Sequence, residues 1–278
     1  MYRIIIDSSG ELPKEAIESG HFCNVALSLD VDGEVIKDDE NFDQISFLEK
    51  VKKSVEGPKS ACPSPEAFID EFKDADHVYI ITLSAELSGS YNSAVLAKSI
   101  YEDEHEGQKK IHVFNSKSAS IGETLIGLRI QELEEAGIPF EDIIPRVEEY
   151  IESMNTFFVL ETLETFIKTG RLSRLKGKIV ETLNIKPIMG STDTGYIHMV
   201  NQGRGMKKAL SKMVDEVEKH AKNCTQKILA ISHCNCPERA QFVKELLESK
   251  CNFKKIIVLD MRGVSSMYAN DGGVIIAV

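Results

Sequence analysis

The sequence predicts an α/β protein of two domains, with a parallel sheet in the first domain and a mixed sheet in the second. In the first half of the chain, continuous apolar segments such as 77–83 indicate strands buried on both faces. They alternate with segments whose apolar residues recur at helical spacing, at 88–104 and 123–136. This alternation favours a parallel sheet covered by helices. From about residue 156 onward, strands are joined partly by hairpins and partly by helices, which favours a mixed sheet.

The first domain is predicted to span residues 1–155. Residues 25–31 alternate between apolar and small or acidic side chains, the period-two pattern of a half-exposed strand. Ser64 and Pro65 indicate a helix N-terminus, because serine caps free N–H groups and proline fits the first helical position. Gly137 is expected to end the helix that starts near residue 123. The parallel strands are predicted at 4–6, 77–83 and 111–114.

The second domain is predicted to span residues 156–278, after an acidic helix at about 140–154. A hairpin is expected where residues 185–189 are followed by the turn sequence Asp193-Thr194-Gly195. A short helix from Leu163 is expected to end at Gly170. The other predicted elements are strands at 156–160, 227–231, 255–260 and 274–278, and helices at 206–221 and 237–249.

Composition and charge narrow the class of protein. The formal net charge is −11 and no run of Lys and Arg is long enough to follow a phosphate backbone, so nucleic acid is not expected as a partner. No segment reaches the roughly 18 apolar residues of a membrane span, and the N-terminal residues are predicted to form a strand rather than a secretory signal. Among six cysteines, only Cys234 and Cys236 next to His233 resemble a metal site, without a second pair at zinc-finger spacing. We therefore expect a cytoplasmic protein with reduced thiols, no metal or cofactor and no stable membrane insertion.

Three polar segments follow predicted strands of the first domain, at 7–10, 60–64 and 84–90. In open α/β sheets, ligands bind at the carboxyl ends of the strands. Small hydroxyl residues at a helix start either cap the helix or donate hydrogen bonds to an anion. We expect most of these serines to act as caps. For Ser88-Gly89-Ser90 we favour anion binding, because glycine lets a ligand approach the backbone.

Other candidate sites are less specific. The sequence has neither a Gly-x-Ser-x-Gly motif nor a Walker loop, so a hydrolase that uses Ser88 with His233 is a minor alternative. His233 ends an apolar strand, where a structural hydrogen bond is expected. Residues 38–40 are expected to form a solvated acidic loop rather than a cation site. Arg171 either binds a carboxylate through its planar guanidinium or faces solvent.

An ordered series of short motifs extends over essentially the whole chain. Each motif alone is weak, whereas the ordered set is specific. The series consists of Asp7-Ser8-Ser9, Ser60 with Pro63-Ser64, Leu87-Ser88-Gly89-Ser90-Tyr91, Gly170-Arg171, Lys186-Pro187-Ile188, Arg204 ahead of Lys207-Lys208-Ala209, and His233 with Pro237-Glu238. In these motifs the sequence resembles the DegV family, whose characterised members bind fatty acids.

The resemblance implies a Rossmann-like first domain, a mixed-sheet second domain and one long-chain fatty acid in a buried tunnel between them. A protein of this kind is not an enzyme: as a carrier subunit in phospholipid metabolism, it presents the acyl carboxylate to a separate fatty acid kinase, which forms the acyl phosphate. The alternative is a regulatory or transport protein that binds a lipid or small acid without a kinase. The residues expected at the carboxylate are Ser60, Ser88, Arg171 and Tyr268, with Ser9, Gly89 and Ser90 in the surrounding head-group region. Lys207 and Lys208, near Arg204, are expected on an exposed helix face, and by the same analogy all three residues are expected at the kinase contact.

The sequence departs from the family's usual motifs at four positions. Ala61 stands where the family usually has Ser, Thr169 where it has Gly, and Asn115 where it has Asp. Tyr268 stands where the family commonly has His. A tyrosine keeps a hydrogen-bond donor at such a position but lacks the titration of histidine near neutral pH.

Overall fold

Three sheets organise the chain. The computed structural model describes residues 1–105, 107–172 and 184–278. In chain order the strands are β1 (Tyr2–Asp7), β2 (Phe22–Val25), β3 (Ser28–Val31), β4 (Glu34–Lys37), β5 (Lys59–Ala61), β6 (His77–Thr82), β7 (Lys110–Asn115), β8 (Thr156–Val159), β9 (Ile185–Ser191), β10 (Ile197–Arg204), β11 (Ile228–His233), β12 (Lys255–Asp260) and β13 (Val274–Ala277). The helices are α1 (Lys14–Glu18), α2 (Gln44–Lys53), α3 (Pro65–Ile69), α4 (Ser90–Glu104), α5 (Ile121–Glu135), α6 (Phe140–Ser153), α7 (Glu164–Lys168), α8 (Met206–His220), α9 (Pro237–Lys250) and α10 (Gly263–Ala269). None of the helices described here is long and apolar enough to cross a membrane.

The four-stranded sheet is parallel throughout, with the strand order β2-β1-β6-β7. Successive side chains of β1 point to opposite faces: Ile4 and Ile6 pack in one apolar cluster with α5 and α6, whereas Ile5 packs in another with α3 and α4. Helices cover both faces, which explains why β6 is a continuous apolar segment. The parallel sheet predicted for the first half of the chain is therefore confirmed.

Helix α5 lies between the two large sheets. It contacts β1 and β6 on one side and β11 and β13 on the other. Residues on every side of its first two turns are buried, from Ile121 through Gly127. A Cβ atom at Gly127 would lie 2.9 Å from Ile6 Cδ1 and from Phe22 Cε1, so glycine permits the close approach of this helix to the first sheet.

The six-stranded sheet is mixed, with the order β10-β9-β8-β13-β11-β12. Only the β11–β12 pair is parallel among its described neighbours. The predicted hairpin is confirmed, since β9 and β10 pair antiparallel across the turn at 192–196. Helices α8 and α9 cover one face of this sheet, where Leu210 and Val243 pack against Ile231. All strands of this sheet lie within residues 156–278, and all strands of the parallel sheet lie within 1–155.

A small antiparallel sheet, with the order β4-β3-β5, was not predicted. The single strand expected at 25–31 is divided at Ala26-Leu27, so that β2 joins the parallel sheet and β3 joins the small one. The backbone N–H of Leu27 donates to Ser8 Oγ at 3.0 Å at this division. A period-two pattern describes which face of a strand is buried but not which neighbour the strand pairs with, and for this reason the division was missed.

Candidate functional site

A cavity with an empty volume of about 730 Å³ lies between the two large sheets. One wall consists of segments that follow β1, β6 and β7, including Ser9, Leu83 and residues 117–120. The opposite wall includes Phe158 of β8 and Ile275 of β13, together with α10. The cavity therefore lies at the carboxyl ends of the parallel strands, where the sequence predicted a ligand.

The hydroxyl groups in the cavity wall bond to the protein itself. Ser118 Oγ and Thr156 Oγ1 are 2.6 Å apart across the two domains. Ser265 Oγ donates to the backbone oxygen of Ser9 at 2.8 Å. Ser120 Oγ donates to the carboxyl group of Glu11, also at 2.8 Å. Because these hydroxyls have partners in the wall, the surface that faces the cavity is almost entirely apolar.

Arg171 and Tyr268, both predicted site residues, line the cavity together with Phe166. Helix α7 ends at Lys168, and Gly170, two residues beyond, adopts a φ of +79°, a turn that precedes Arg171 at the cavity. Arg171 Nε donates to the backbone oxygen of Leu87 at 3.2 Å. The ring of Tyr268 packs on that of Phe166 with 4.6 Å between centroids. The structure thus brings the two residues to a common region of the wall, beside Leu87.

The three polar segments predicted from the sequence meet in space. Ser90, at the start of α4, is fully buried, and its Oγ donates to Asp7 Oδ2 at 2.6 Å. Ser93 Oγ donates to the backbone oxygen of Pro63 at 2.6 Å. A Cβ atom at Gly89 would lie 3.2 Å from Cys62 Sγ. The segments 7–10, 60–64 and 84–90 therefore form one contiguous region at the edge of the parallel sheet.

The predicted serines differ in their relation to the cavity. Ser9 lines the cavity, and its Oγ accepts the backbone N–H of Ser120 at 3.0 Å. Ser88 is half-buried in the β6–α4 loop (residues 83–89), one residue beyond the lining residue Leu87, and its Oγ accepts the N–H of Ser90 at 3.2 Å. Ser60 is half-buried in β5, in register with Leu29 of β3, and is not a lining residue.

The burial of four carboxyl groups behind the cavity wall was not predicted: those of Asp7, Glu11, Asp38 and Glu123. Burial raises the pKa of Glu11 to about 8, although Ser120 donates to it. Burial likewise raises the pKa of Asp7, and that of Glu123 is raised well above its usual value by burial and by the nearby charge of Asp7. A sequence signal was present, since Glu123 falls within the buried first turns of a helix with apolar spacing.

Asp38 corrects the expectation of a solvated acidic loop at 38–40. Its side chain is buried, and its carboxylate accepts hydrogen bonds from Ser8 Oγ at 2.9 Å and from the N–H groups of Gly263 and Val264 at 2.8 Å. Burial raises its pKa to about 6. The error arose because two of its three donors lie more than 220 residues away in the chain, at the start of α10.

His233 has partners at the end of its own strand. Its Nδ1 accepts the N–H of Cys236 at 3.4 Å and lies 3.3 Å from the carboxylate of Asp260. These contacts agree with the structural role expected for a strand-end histidine. All six cysteines are free, and Cys234 and Cys236 are buried. Within residues 1–105, 107–172 and 184–278, no group of His, Cys, Asp and Glu side chains is arranged to hold a metal ion.

The three predicted contact residues Arg204, Lys207 and Lys208 are exposed at the end of β10 and the start of α8. Lys207 Nζ lies 5.5 Å above the ring of Phe242. The expected exposed cationic face is thus present at this end of the second sheet.

The turn of the β9–β10 hairpin closes another part of the cavity wall. The backbone oxygen of Gly195 accepts a hydrogen bond from Ser84 Oγ at 2.9 Å, which joins the hairpin to the β6–α4 loop. Gly195 has a φ of +88°, and a Cβ atom there would lie 2.3 Å from Ser84 Oγ and 3.1 Å from Lys117 Cα. This contact was not visible in the sequence, where Gly195 only indicated a turn.

Comparison with known proteins gives consistent matches over the full chain. A family model described as "Uncharacterised protein, DegV family" matches residues 1–278. A DegV domain-containing protein of Streptococcus pneumoniae strain R6 is 32% identical over 277 residues, which cover 99% of this chain and 97% of the relative.

Solved structures also match over the full length of the chain. A DegV family protein from Ruminococcus gnavus, refined with vaccenic acid, is 49% identical with a TM-score of 0.96 and covers 100% of this chain and 99% of that one. The Fatty Acid Kinase (Fak) B3 protein of Streptococcus pneumoniae, loaded with linoleic acid, is 30% identical with a TM-score of 0.90, over 100% and 98% of the two chains. A DegV family protein from Eubacterium eligens, loaded with heptadecanoic acid, is 28% identical with a TM-score of 0.89, over 100% and 99%. Because the family model spans the whole chain and a relative is 32% identical over nearly its full length, this protein belongs to the DegV family.

Proposed function

We propose that this protein binds one long-chain fatty acid in the cavity between its two large sheets and presents the carboxylate to a separate kinase. The observation that supports this proposal most directly is the apolar cavity wall, with Arg171 and Tyr268 grouped in one region of it. The similar proteins from Ruminococcus gnavus, Eubacterium eligens and Streptococcus pneumoniae were each solved with a fatty acid.

Burial of the acyl chain supplies the free energy of binding. Each buried methylene contributes about 0.8 kcal/mol, so about 14 methylenes contribute roughly 11 kcal/mol. The loss of translational and rotational freedom on association costs about 4–15 kcal/mol. Net binding therefore requires the tail to be enclosed almost completely, and a cavity between two sheets meets this condition better than a surface groove.

The carboxylate needs donors, because an unpaired charge is costly to bury. We place it beside Arg171 and Tyr268, whose guanidinium and hydroxyl groups are donors, with the hydroxyl of Ser88 in the adjacent β6–α4 loop. Ser60, in the neighbouring 60–64 segment, belongs to the outer part of this network. The surrounding residues Ser9, Gly89 and Ser90 shape the head-group region.

In this proposal the protein is a cytoplasmic carrier, and a partner kinase that binds ATP transfers the phosphate to the fatty acid carboxylate. The likeness to the Fak B3 protein supports a kinase partner. The exposed residues Arg204, Lys207 and Lys208 form the surface that we assign to the kinase contact. A regulatory or transport protein without a kinase would use the same cavity, and the kinase experiment below separates the two.

The ligand is tested by mass spectrometry of molecules extracted from the denatured, purified protein. We expect about one C16–C18 fatty acid per chain, in line with a tail of about 14 methylenes. Ser88→Ala should retain less fatty acid than the wild type, since a donor to the carboxylate is lost. Ser249→Ala, on the exposed part of α9, is the matched control. An empty protein that also ignores added fatty acid would contradict the proposal, and unchanged content in Ser88→Ala would remove Ser88 from the site.

The kinase contact is tested by reversing the charge of all three residues in Arg204→Glu/Lys207→Glu/Lys208→Glu. We expect at least about a tenfold weaker interaction with the kinase subunit, because like charges at an interface repel. The fatty acid content should stay unchanged. Binding is measured by calorimetry, and acyl phosphate formation by phosphate transfer from ATP. The control reverses three exposed lysines of the first domain, Lys14, Lys52 and Lys53. Equal effects of the two triple variants would place the kinase contact elsewhere.

A further inference from the structure

Two fully buried carboxyl groups lie directly behind the β6–α4 loop, and fatty acid binding as proposed above does not require them. The side chains of Asp7, at the end of β1, and Glu123, in the first turn of α5, have no exposed surface. Buried carboxyl groups are costly unless they are hydrogen-bonded or protonated. The two residues differ sharply in this respect.

Asp7 anchors the β6–α4 loop at both ends. Its Oδ2 accepts the backbone N–H of Leu83 at 3.0 Å and the hydroxyl of Ser90 at 2.6 Å, and its Oδ1 accepts the N–H of Ser9 at 3.1 Å. Ser90 in turn donates its N–H to Ser88 Oγ. Leu83 and Ser9 line the cavity, so a shift of the Asp7 carboxylate would move the cavity wall and the loop together.

Glu123 faces Asp7 without comparable hydrogen bonds. Neither of its carboxyl oxygens makes a hydrogen bond of normal length. The ionisable groups that act on it are the carboxyl groups of Asp7 and Glu11. Asp38 acts on Glu11 in turn, and Arg262 lies where it attracts Asp38.

Two adjacent buried carboxyl groups in such surroundings do not both ionise, because like charges in a low dielectric repel strongly. Asp7 accepts three hydrogen bonds, which favour its ionised form. The oxygens of Glu123 have no partner at normal hydrogen-bond distance, and only the Ser9 side chain acts to favour its ionised form, so Glu123 holds the proton. When Glu123 is neutral, Asp7 stays ionised and keeps its hydrogen bonds to Leu83 and Ser90 at the two ends of the loop.

We propose that Asp7 is a positioning residue for the fatty acid head group. Loss of the proton held by Glu123 displaces the Asp7 carboxylate, loosens the β6–α4 loop and releases the fatty acid. The inference rests on the proposed function, because it assigns a control element to the same cavity. Ligand exchange then includes a protonation step, which Asp7 and Glu123 perform together.

The direction of the pH effect follows from the protonation states. Burial and the nearby charge of Asp7 raise the pKa of Glu123 well above its usual value, so its proton is lost at a higher pH than that of an ordinary glutamate. In this proposal the fatty acid carboxylate adds a nearby negative charge, so the ligand-bound form holds this proton more tightly than the free form does. Affinity for fatty acid therefore falls with rising pH, by up to about tenfold per pH unit for one linked proton.

The test measures the dissociation constant of a fluorescent C18 fatty acid between about pH 7 and about pH 9.5, where a free carboxylic acid stays ionised. For the wild-type protein we expect the constant to rise over this range, with a slope of up to about tenfold per pH unit for one linked proton. Glu123→Gln mimics the protonated side chain and should make the constant independent of pH. Glu11→Gln removes a buried carboxyl group of the same region that does not touch Asp7, and it should keep the pH dependence.

The outcomes separate the inference from the proposed function. Wild-type protein that binds no fatty acid at any pH would overturn the proposed function. Tight binding with the same constant at both pH values, or a pH dependence that persists in Glu123→Gln, would overturn the inference alone. If Glu123→Gln does not fold, infrared spectra of the Glu11→Gln variant replace it, because Glu11 also has a pKa within this range. The carbonyl band of a protonated carboxyl group should then disappear in step with fatty acid release, and release without this loss would contradict the inference.

Discussion

Replacement of Asp38 by alanine is expected to lower the free energy of unfolding by about 3 kcal/mol and to reduce the amount of fatty acid that the protein retains. Asp38 accepts hydrogen bonds from Ser8 Oγ and from the N–H groups of Gly263 and Val264, all of them buried. Three bonds to a charged group would contribute more than this, but burial raises the pKa of Asp38 to about 6 and so offsets part of the gain. The ligand is affected because these bonds hold α10, which contributes Tyr268 and other residues to the cavity wall.

Urea denaturation monitored by circular dichroism, together with mass spectrometry of the extracted ligand, measures both effects. Asp39→Ala is the matched control, since the half-buried Asp39 accepts a local N–H, from Asn41, in an exposed hydrogen bond. We expect the control to change stability by less than about 0.5 kcal/mol. Similar losses in the two variants would show that Asp38 does not join α10 to the first domain.

Replacement of Gly195 by alanine is expected to destabilise the protein by about 2–3 kcal/mol and to accelerate fatty acid release. The φ of +88° alone costs an alanine about 1 kcal/mol. The new Cβ atom would also lie 2.3 Å from Ser84 Oγ and 3.1 Å from Lys117 Cα. The backbone of Lys117 cannot rotate away, so the hairpin turn must move outward and open the cavity wall.

Gly33 provides a control with the same backbone conformation and no neighbours. Its φ is +89°, and a Cβ atom there meets nothing within 4 Å. Gly33→Ala should therefore show the conformational cost alone and leave ligand release unchanged. The difference between the two variants in urea midpoint and in release rate measures the steric contact at Gly195. Equal release rates would mean that the hairpin turn does not close the cavity.

The sequence predicted the two large sheets correctly because their signals are local. The apolar segment at 77–83 and the helical spacing at 123–136 each arise from neighbouring residues that share one environment, and the hairpin around Gly195 follows from its turn residues. Helix α10 and the small antiparallel sheet were missed. The residues of α10 are buried on almost every side, so its sequence lacks an amphipathic pattern that would indicate a helix.

The candidate site was predictable only in part. Motif order identified Ser9 and Arg171, which line the cavity, and the loop that contains Ser88. The family resemblance indicated Tyr268, which lines the cavity as well. The roles of Ser60, Ser88, Arg171 and Tyr268 at the carboxylate stay predictions. The burial of Asp38 and Glu123 was not predicted, since an acidic side chain in a sequence ordinarily indicates an exposed position.

The sequence by itself determined the fold class, the approximate position of both sheets and the family, because each depends on local periodicity or on the order of short motifs. Only the tertiary structure decided which polar groups are buried together. Asp38 meets Gly263, Asp7 meets Ser90 and Gly195 meets Ser84 across separations of more than 80 residues. Such contacts depend on how two sheets pack around one helix, and no local pattern records the neighbours that packing brings to a side chain.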